Sequence, residues 1–310
     1  MSTPPDLRLL VASDRLELTP AVHRAIAQLS AVCHVDLTVA RVDTGGDDAG
    51  TPAPIVFDPD AAPRRIQRLE LEEPDAATAI AGLSRQYRFD LVMAPAAGTS
   101  WWRRARSFRS RLLTRSNVPL WTAGHAVTAM HFHRPLRTIA CLLDFEVDPG
   151  PLLQRAAAFA RRMQARLHVL AVLPPVDDGA LATVLTSDTP LLPAAAARRI
   201  EQWCAGADRP VVDVAVDGLR RGLQRLASSS RPDVLFVEAE RWGLSWPFGF
   251  SRTLDGIGCP VICVPGGAAP GGWSFELVGG LPPVAATVRP ETATGLVRPW
   301  PAGGMASRAS

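Results

Sequence analysis

The sequence predicts an α/β fold made of two tandem, doubly wound, mainly parallel sheets with helices on both faces. Two observations predict it. One strand-helix-strand pattern occurs twice in the same order, and short apolar strands alternate with amphipathic helices in both copies. The length of 310 residues and the 47% hydrophobic content are enough for two domains, each with its own core. We assign them to residues 5–125 and 134–265.

Each copy begins with an apolar strand that ends in an aspartate. The segment LRLLVASD ends at Asp14, and RTIACLLD ends at Asp144. Second apolar strands, HVDLTVARV and RLHVLAVLP, begin about twenty residues after the two aspartates. Thr19 and Pro20 predict the beginning of the first intervening helix, and Pro151 predicts the beginning of its counterpart. Apolar residues then recur at helical spacing in both helices: Val22, Ile26 and Leu29 in the first, and Leu152, Ala156, Phe159 and Met163 in the second. Each copy therefore starts as a β-α-β unit.

The later part of each copy repeats as well. The strands RFDLVMAPA and RPDVLFVEA are each preceded by a helical pattern, over residues 76–87 and 219–229. The closing strands are SNVPLWTAG and IGCPVICVP. Short runs of Val and Leu bounded by turn residues are typical of strands that are buried on both faces. The segments 44–64 and 174–196 are rich in Gly, Pro, Ala and Asp, which predicts long surface loops.

The amino-acid composition argues against several classes of protein. Residues 266–310 are rich in Gly, Pro, Ala and Ser, which predicts a flexible, disordered C-terminal tail. The five cysteines are scattered through apolar segments with no CxxC pair, so we expect buried thiols and no metal site. The net charge of +3 is too small to indicate nucleic-acid binding. Without an apolar run of membrane-spanning length or a signal-peptide pattern, we expect a cytoplasmic protein that binds no membrane.

Six arginines lie between Arg103 and Arg115, directly after the strand DLVMAPA. On a helix, Ala105, Phe108 and Leu112 would form an apolar stripe that faces the sheet. Arginines would lie on both flanks, with Ser110 on one of them, and none of these flanking residues needs to be buried. Three interpretations stay open for these arginines: a solvated surface paired with acidic loops such as residues 47–48 or 72–73, a phosphate site, or a docking surface for an acidic partner or polyanion. The residues of the phosphate interpretation are Arg103, Arg104 and Arg106; the docking surface comprises Arg103, Arg104, Arg111 and Arg115.

With these strands and helices identified, each copy resembles a universal stress protein domain, and the whole resembles a tandem universal stress protein. The resemblance covers residues 5–125 and 134–265. It implies an adenine nucleotide alpha hydrolase-like fold with a mainly parallel five-stranded sheet in each domain, and two domains packed as a pseudo-dimer. It also implies a stress-response or regulatory binding role. Some members of that family bind ATP and others do not.

The nucleotide-binding members carry glycine, two residues, glycine, nine residues, glycine and then Ser or Thr after the fourth strand. Glycines let backbone N–H groups approach phosphate oxygens, and a hydroxyl at the helix N-terminus adds a hydrogen bond. In the first copy only the hydroxyl and one displaced glycine are kept. The resemblance also implies that an aspartate after the first strand and the end of the second strand contact the base. The residues so implied are Asp14, Val42, Ala94, Ala97, Gly98, Arg106 and Ser107.

The second copy departs further from that motif. Its first glycine position is Glu238 and the next is Arg241. The last pair falls on Pro247 and Phe248, or on Gly249 and Phe250 if two residues are deleted. A carboxylate repels phosphate and proline lacks an N–H donor, so we expect no ATP in the second copy. No catalytic constellation is visible in either copy, so we expect a binding protein and no enzyme. The expected partners are an adenine nucleotide and a protein partner or a second copy of the chain.

Overall fold

The structure is a computed structural model that describes residues 6–13, 18–43, 56–72, 75–94, 102–122, 127, 135–143, 150–173, 197–198, 200–201, 210–216, 219–239, 257–265 and 297–299. Among them are eleven strands: β1 Asp6–Ser13, β2 His34–Asp43, β3 Arg65–Glu72, β4 Leu91–Met93, β5 Leu120–Thr122, β6 Thr138–Leu143, β7 Arg166–Leu173, β8 Val211–Val216, β9 Val234–Glu238, β10 Val261–Val264 and β11 Val297–Pro299. The principal helices are α1 Pro20–Ser30, α2 Ala76–Tyr87, α3 Trp102–Arg115, α4 Gly150–Arg162 and α5 Leu219–Ser230.

All eleven strands belong to one sheet, in the order β11-β3-β2-β1-β4-β5-β10-β9-β6-β7-β8. Within β3-β2-β1-β4-β5 and within β8-β7-β6-β9-β10, neighbouring strands are parallel. The predicted α/β fold with a mainly parallel sheet is confirmed. The two groups of five strands are joined into one sheet by the antiparallel pair β5 and β10, whereas the sequence predicted a separate sheet for each copy.

The outer strands of the two groups, β3 and β8, were not predicted from the sequence. β3 has the sequence RIQRLELE, and three successive residues at its beginning are exposed, so its apolar residues form no continuous run. β11 pairs antiparallel with the carboxyl end of β3, with Arg298 opposite Glu70. β11 belongs to the segment predicted as a disordered tail. The rest of residues 266–310 lies outside the described residues.

The first helix of each group has the apolar face that the sequence predicted. In α1 the hydroxyl of Thr19 accepts a hydrogen bond from the backbone N–H of Val22, and Pro20 is the first helical residue. The apolar residues predicted for the two helices are buried. They are Val22, Ile26 and Leu29 in α1, Leu152, Ala156 and Phe159 in α4, and Met163, which directly follows α4. Both helices pack on the same face of the sheet.

Two hydrophobic cores lie on the two faces of the sheet. The face-one core contains the buried sides of α1 and α4 together with Trp121 and Ile262. The face-two core contains buried residues of α2 and α3 together with Leu120 and Val261. Both cores run across the junction between β5 and β10, because the sheet is continuous there.

A conformation that is uncommon for residues other than glycine occurs at matching places in the two groups. Arg88 and Arg231 have φ values of 51° and 44°, and each lies two residues before an aspartate, Asp90 or Asp233. Each aspartate then accepts hydrogen bonds from the backbone at the beginning of the first strand of its group. The donors are the N–H of Arg8 to Asp90 at 2.8 Å, and those of Arg137 and Thr138 to Asp233 at 2.6 and 2.8 Å.

The junction between the two groups is symmetric in register. Trp121 of β5 lies opposite Ile262 of β10, and the flanking residues cross-pair, Leu120 with Cys263 and Thr122 with Val261. On face one, the ring of Phe159 from α4 contacts the Trp121 ring edge-on, with 6.2 Å between centroids. Phe159 also contacts Phe236 of β9 at 5.3 Å. These ring contacts therefore tie both groups together.

Four cysteines lie among the described residues, and all four are buried free thiols, as predicted: Cys33, Cys141, Cys259 and Cys263. Burial, with a smaller contribution from the charge of Asp233, raises the pKa of the Cys259 thiol to about 12. A thiol with so high a pKa is protonated at neutral pH and unreactive. Cys204 lies outside the described residues.

Candidate functional site

The candidate site is the crevice at the carboxyl ends of β1 and β4. These two strands are neighbours in the sheet. The chain leaves β1 for α1, which packs in the face-one core, and leaves β4 for α3, which packs in the face-two core. Neighbouring strands whose connections leave on opposite faces form a topological switch point, where open α/β sheets bind ligands.

Of the residues predicted at the ends of strands, Val42 and Ala94 lie within the described part of the chain. Asp14 comes directly after the last residue of β1 and is itself outside the described residues. Val42 lies near the end of β2, with its backbone opposite Leu71 of β3. Ala94 follows β4 and is 3% exposed. Its N–H donates to the carbonyl of Trp121 at 3.0 Å, so Ala94 can offer a ligand close approach but no free N–H.

The loop between β4 and α3 contains the other two small residues of the motif, Ala97 and Gly98, and lies outside the described residues. α3 begins at Trp102, so the predicted residues Arg103, Arg104, Arg106 and Ser107 occupy its first two turns. The first turn contains no acidic residue. The N-terminus of this helix therefore combines the positive end of the helix dipole with several arginines, next to the switch point.

The arginines nearer the end of α3 bind a carboxylate of the same chain. Arg111 Nη1 lies 3.1 Å from Asp75 Oδ1, and Arg115 Nη1 contacts Asp75 Oδ2. Arg115 Nη1 also donates to Thr78 Oγ1 at 2.6 Å. The acidic residues suggested by the sequence were 47–48 or 72–73, of which 47–48 and 73 lie outside the described residues. Among the described residues, Arg111 and Arg115 both pair with Asp75.

Asp75 combines two functions in α2. It is the N-cap residue: its Oδ1 accepts from the backbone N–H of Ala77 at 3.1 Å, and its Oδ2 accepts from Thr78 Oγ1 at 2.9 Å. It also anchors α3 through the two ion pairs. Arg85, in the last turn of α2, donates to the carbonyl of Arg115 at 3.3 Å. The Asp75 cluster, which comprises Asp75, Thr78, Arg111 and Arg115, therefore fixes the end of α3 against α2.

Asp75→Ala is expected to lower the free energy of unfolding by about 1–2 kcal/mol, since it removes a helix N-cap and two partly exposed ion pairs. Urea unfolding at neutral pH measures the change. Asp60→Ala is the matched control, because Asp60 is exposed in a short 3-10 helix, and it is expected to change the value by less than about 0.5 kcal/mol. Equal effects at both positions would contradict the structural role of Asp75.

Asp75 also makes the free energy of unfolding depend on pH. Burial works to raise the pKa of Asp75, but hydrogen bonds from Arg115, Thr78 and Ala77, with the charge of Arg111, outweigh it and hold the pKa below its usual value. The stabilisation is therefore fully present above the unfolded-state pKa of about 4 and is lost as the pH falls through the folded-state value. The difference in stability between wild type and Asp75→Ala should shrink below about pH 4.

Sequence reasoning missed one charged residue of α3. Arg109 is 7% exposed and Ser110 is 2% exposed, although the flank containing Ser110 was expected to be solvated. Burial raises the pKa of the Cys263 thiol, and the nearby charge of Arg109 opposes that rise. The spacing could have indicated this position, because Arg109 lies four residues after Ala105 and three before Leu112, on the side of the helix that faces the sheet.

The corresponding crevice of the second group differs at the end of its fourth strand. Cys141 pairs with Phe236 as Val11 pairs with Met93, so Glu238 lies two residues beyond the position that matches Met93. Glu238 is the last residue of β9 and is half-buried. A carboxylate at this point adds negative charge to the crevice. Asp144, Arg241, Pro247 and Phe248 are outside the described residues.

Metal binding and membrane spanning find no support in the part of the chain that the structure describes. No three side chains of His, Cys, Asp or Glu within this part come close enough together to hold a metal ion. No helix in the same part is both long enough and apolar enough to cross a membrane.

Comparisons with known proteins support the fold. No protein-family model matches the sequence, and no curated protein matches it. The structure is similar to that of a functionally unknown protein from Pseudomonas aeruginosa PAO1, with 16% identity and a TM-score of 0.55, over 83% of this chain and 92% of that chain. It is also similar to a candidate universal stress protein from Pseudomonas aeruginosa UCBPP-PA14, with 15% identity and a TM-score of 0.53, over 84% of this chain and 93% of that chain.

Proposed function

We propose that this chain is a tandem universal stress protein, a stress-response or regulatory binding protein whose first domain binds an adenine nucleotide weakly. The repeated sequence pattern, the fold, and the likeness to a candidate universal stress protein over most of both chains support this proposal. The cytoplasmic address expected from the sequence stays a prediction. We propose binding and no catalysis, because the chemistry expected of the site is recognition of a base and phosphates.

The tandem interpretation rests on the strand order and on the junction. Each group of five strands has the same order, with its first strand between the second and the fourth. β5 and β10, the closing strands of the two groups, pair antiparallel about Trp121 and Ile262. Two equivalent strands paired in this way are what a twofold axis produces in a homodimer. We therefore propose that the domains form a pseudo-dimer within one chain.

The observation that carries nucleotide binding is the switch point that β1 forms with β4. Asp14 is the residue that follows β1 in the sequence. In the proposed arrangement Asp14 accepts hydrogen bonds from the adenine end, and the backbone near Val42 contacts the base. The phosphates lie toward the N-terminus of α3, near Arg106 and Ser107. The helix dipole and the arginines favour negative charge there.

The missing glycines limit the expected affinity. Ala94 and Ala97 stand where nucleotide-binding relatives have glycine, and the N–H of Ala94 is already bonded to Trp121. Fewer backbone N–H groups are then free to bind phosphate oxygens, so we propose a weak complex. In the second domain Glu238 adds a negative charge at the equivalent crevice, and we propose no ATP there.

The docking alternative is not proposed. It required Arg103, Arg104, Arg111 and Arg115 to form one surface for an acidic partner. Arg111 and Arg115 instead bind Asp75 of the same chain. A partner carboxylate would have to compete with an ion pair that also caps α2, which lowers the free energy that this surface could contribute to docking.

A binding titration with single-residue variants tests the proposal. Mg·ATP at ten times its Kd is expected to stabilise the wild-type protein by about 1.4 kcal/mol, visible as a rise in Tm. Asp14→Ala is expected to weaken binding by about tenfold, the effect of losing one hydrogen bond to a charged group. Isothermal titration calorimetry gives the Kd directly.

Asp144→Ala is the matched control, since Asp144 follows β6 as Asp14 follows β1. It is expected to leave the Kd unchanged. The proposal that the first domain binds a nucleotide is wrong if millimolar Mg·ATP does not raise the Tm. It is also wrong if Asp14→Ala and Asp144→Ala weaken binding equally.

A further inference from the structure

The outer edge of β8 is the least protected part of the sheet. Within the residues that the structure describes, β8 pairs with β7 and has no second neighbouring strand. Both of its faces are covered: Val212 and Val214 pack against the face-one core, and Ala215 is buried in the face-two core. No described strand covers the row of backbone N–H and C=O groups along its outer edge, which can pair with another strand.

The opposite end of the sheet is protected in two ways that β8 lacks. β3 carries charged residues along its length, and β11 of the same chain pairs with its carboxyl end. β8 has the sequence VVDVAV, with one charge and neither proline nor glycine, and Val211 is 43% exposed. A valine-rich edge strand with a single charge and no proline is the type that associates with other strands.

We propose that β8 is a dimerisation edge, where β8 of a second copy pairs antiparallel across a twofold axis centred on Val214. A twofold axis perpendicular to a sheet makes two copies of one strand antiparallel. Centring on Asp213 would put two carboxylates opposite each other, and centring on Val212 would bring Pro210, which has no N–H, into the ladder. Centring on Val214 places Val212 opposite Val216 and Asp213 opposite Ala215.

The architecture of the chain favours a second copy of the same chain as the partner of the β8 edge. The junction of β5 and β10 already extends the sheet by antiparallel pairing of two equivalent strands about a central residue pair, Trp121 and Ile262. β8 offers the same kind of self-complementary edge at the end of the second group. This inference does not depend on nucleotide binding, and the dimer edge is separate from the crevice of the first group.

Disulfide trapping tests the register. Val214→Cys is made in a Cys204→Ser background, because the other cysteines, Cys33, Cys141, Cys259 and Cys263, are buried. Opposite residues of antiparallel strands have Cα atoms about 4.5–5.5 Å apart, within the range of disulfides. Under mild oxidation, the Val214→Cys variant is expected to form at least about tenfold more disulfide-linked dimer than the Gln67→Cys variant in the same background. A tenfold ratio corresponds to about 1.4 kcal/mol of preferential association through β8.

Gln67 is the matched control because it is an exposed residue of β3, the outer strand of the first group.

Light scattering on the unmodified protein is expected to show a dimer that forms with rising concentration. Val214→Lys, which puts two ammonium groups opposite each other, is expected to be monomeric with an unchanged circular dichroism spectrum.

Three results would overturn the proposal. The unmodified protein could remain monomeric into the high micromolar range. The Val214→Cys variant could form no more linked dimer than the Gln67→Cys variant. The new thiol of the Val214→Cys variant could also resist a maleimide in a monomeric sample, which would mean that the chain itself covers this edge. If the Val214→Lys variant does not fold, disulfide trapping with Val214→Cys and light scattering on the unmodified protein still test whether β8 forms the dimer.

Discussion

Phe159→Ala is expected to lower the free energy of unfolding by about 3–5 kcal/mol. The Phe159 side chain is 1% exposed and lies in the face-one core between Trp121 of the first group and Phe236 of the second. Truncation removes the transfer free energy of the ring and leaves a cavity beside the junction of β5 and β10. The two ring contacts are lost as well.

Urea unfolding followed by tryptophan fluorescence and circular dichroism measures this change. Phe159→Leu keeps most of the buried volume and is expected to cost about 1–1.5 kcal/mol. Tyr87→Ala removes an aromatic ring that is 45% exposed and is expected to cost less than about 0.5 kcal/mol. If Phe159→Ala cost no more than Tyr87→Ala, the packing of α4 against the junction would be wrong.

Thr122→Val is expected to raise the free energy of unfolding by about 1–3 kcal/mol. Thr122 lies in β5 at the junction and is fully buried, and its Oγ1 has no hydrogen-bond partner among the described residues. Because side chains alternate along a strand, Thr122 shares the face of Leu120, in the face-two core. Valine has nearly the same shape and leaves no buried hydroxyl without a partner.

Thr122→Ser separates the hydroxyl from the methyl group. It keeps the unsatisfied oxygen and removes the apolar methyl, so it is expected to destabilise the protein by about 1 kcal/mol. Opposite signs for the valine and serine variants in urea unfolding would support the structure around Thr122. A loss of stability in Thr122→Val would indicate that the hydroxyl has a partner, and the expected gain would then be wrong.

The sequence determined the elements whose patterns are local. The apolar spacing of Val22, Ile26 and Leu29 predicts α1 and its buried face, and the Thr19 and Pro20 pair predicts its beginning; both are confirmed. The central strands were predicted because strands buried on both faces are continuous apolar runs. For the site, Asp14 follows the last residue of β1 in the sequence, and its role in binding stays a prediction.

The outer strands β3 and β8 were missed for different reasons. In β3, charged residues interrupt the apolar ones, so the sequence RIQRLELE contains no continuous apolar run. β8 has the sequence VVDVAV, and periodicity alone does not identify so short an apolar run as a strand. That β3 and β8 are strands follows from their pairing with β2 and β7, which local sequence does not encode.

By itself, then, the sequence determined the α/β class, the repeated order of strands and helices, and the buried faces of α1 and α4, because these follow from the spacing of apolar residues along short segments. Only the tertiary structure decided that one sheet runs through both groups and that Arg111 and Arg115 bind Asp75. Those features depend on contacts between residues far apart in the chain. A long arginine can bind any carboxylate within its reach, so its partner is fixed only when the helices have packed.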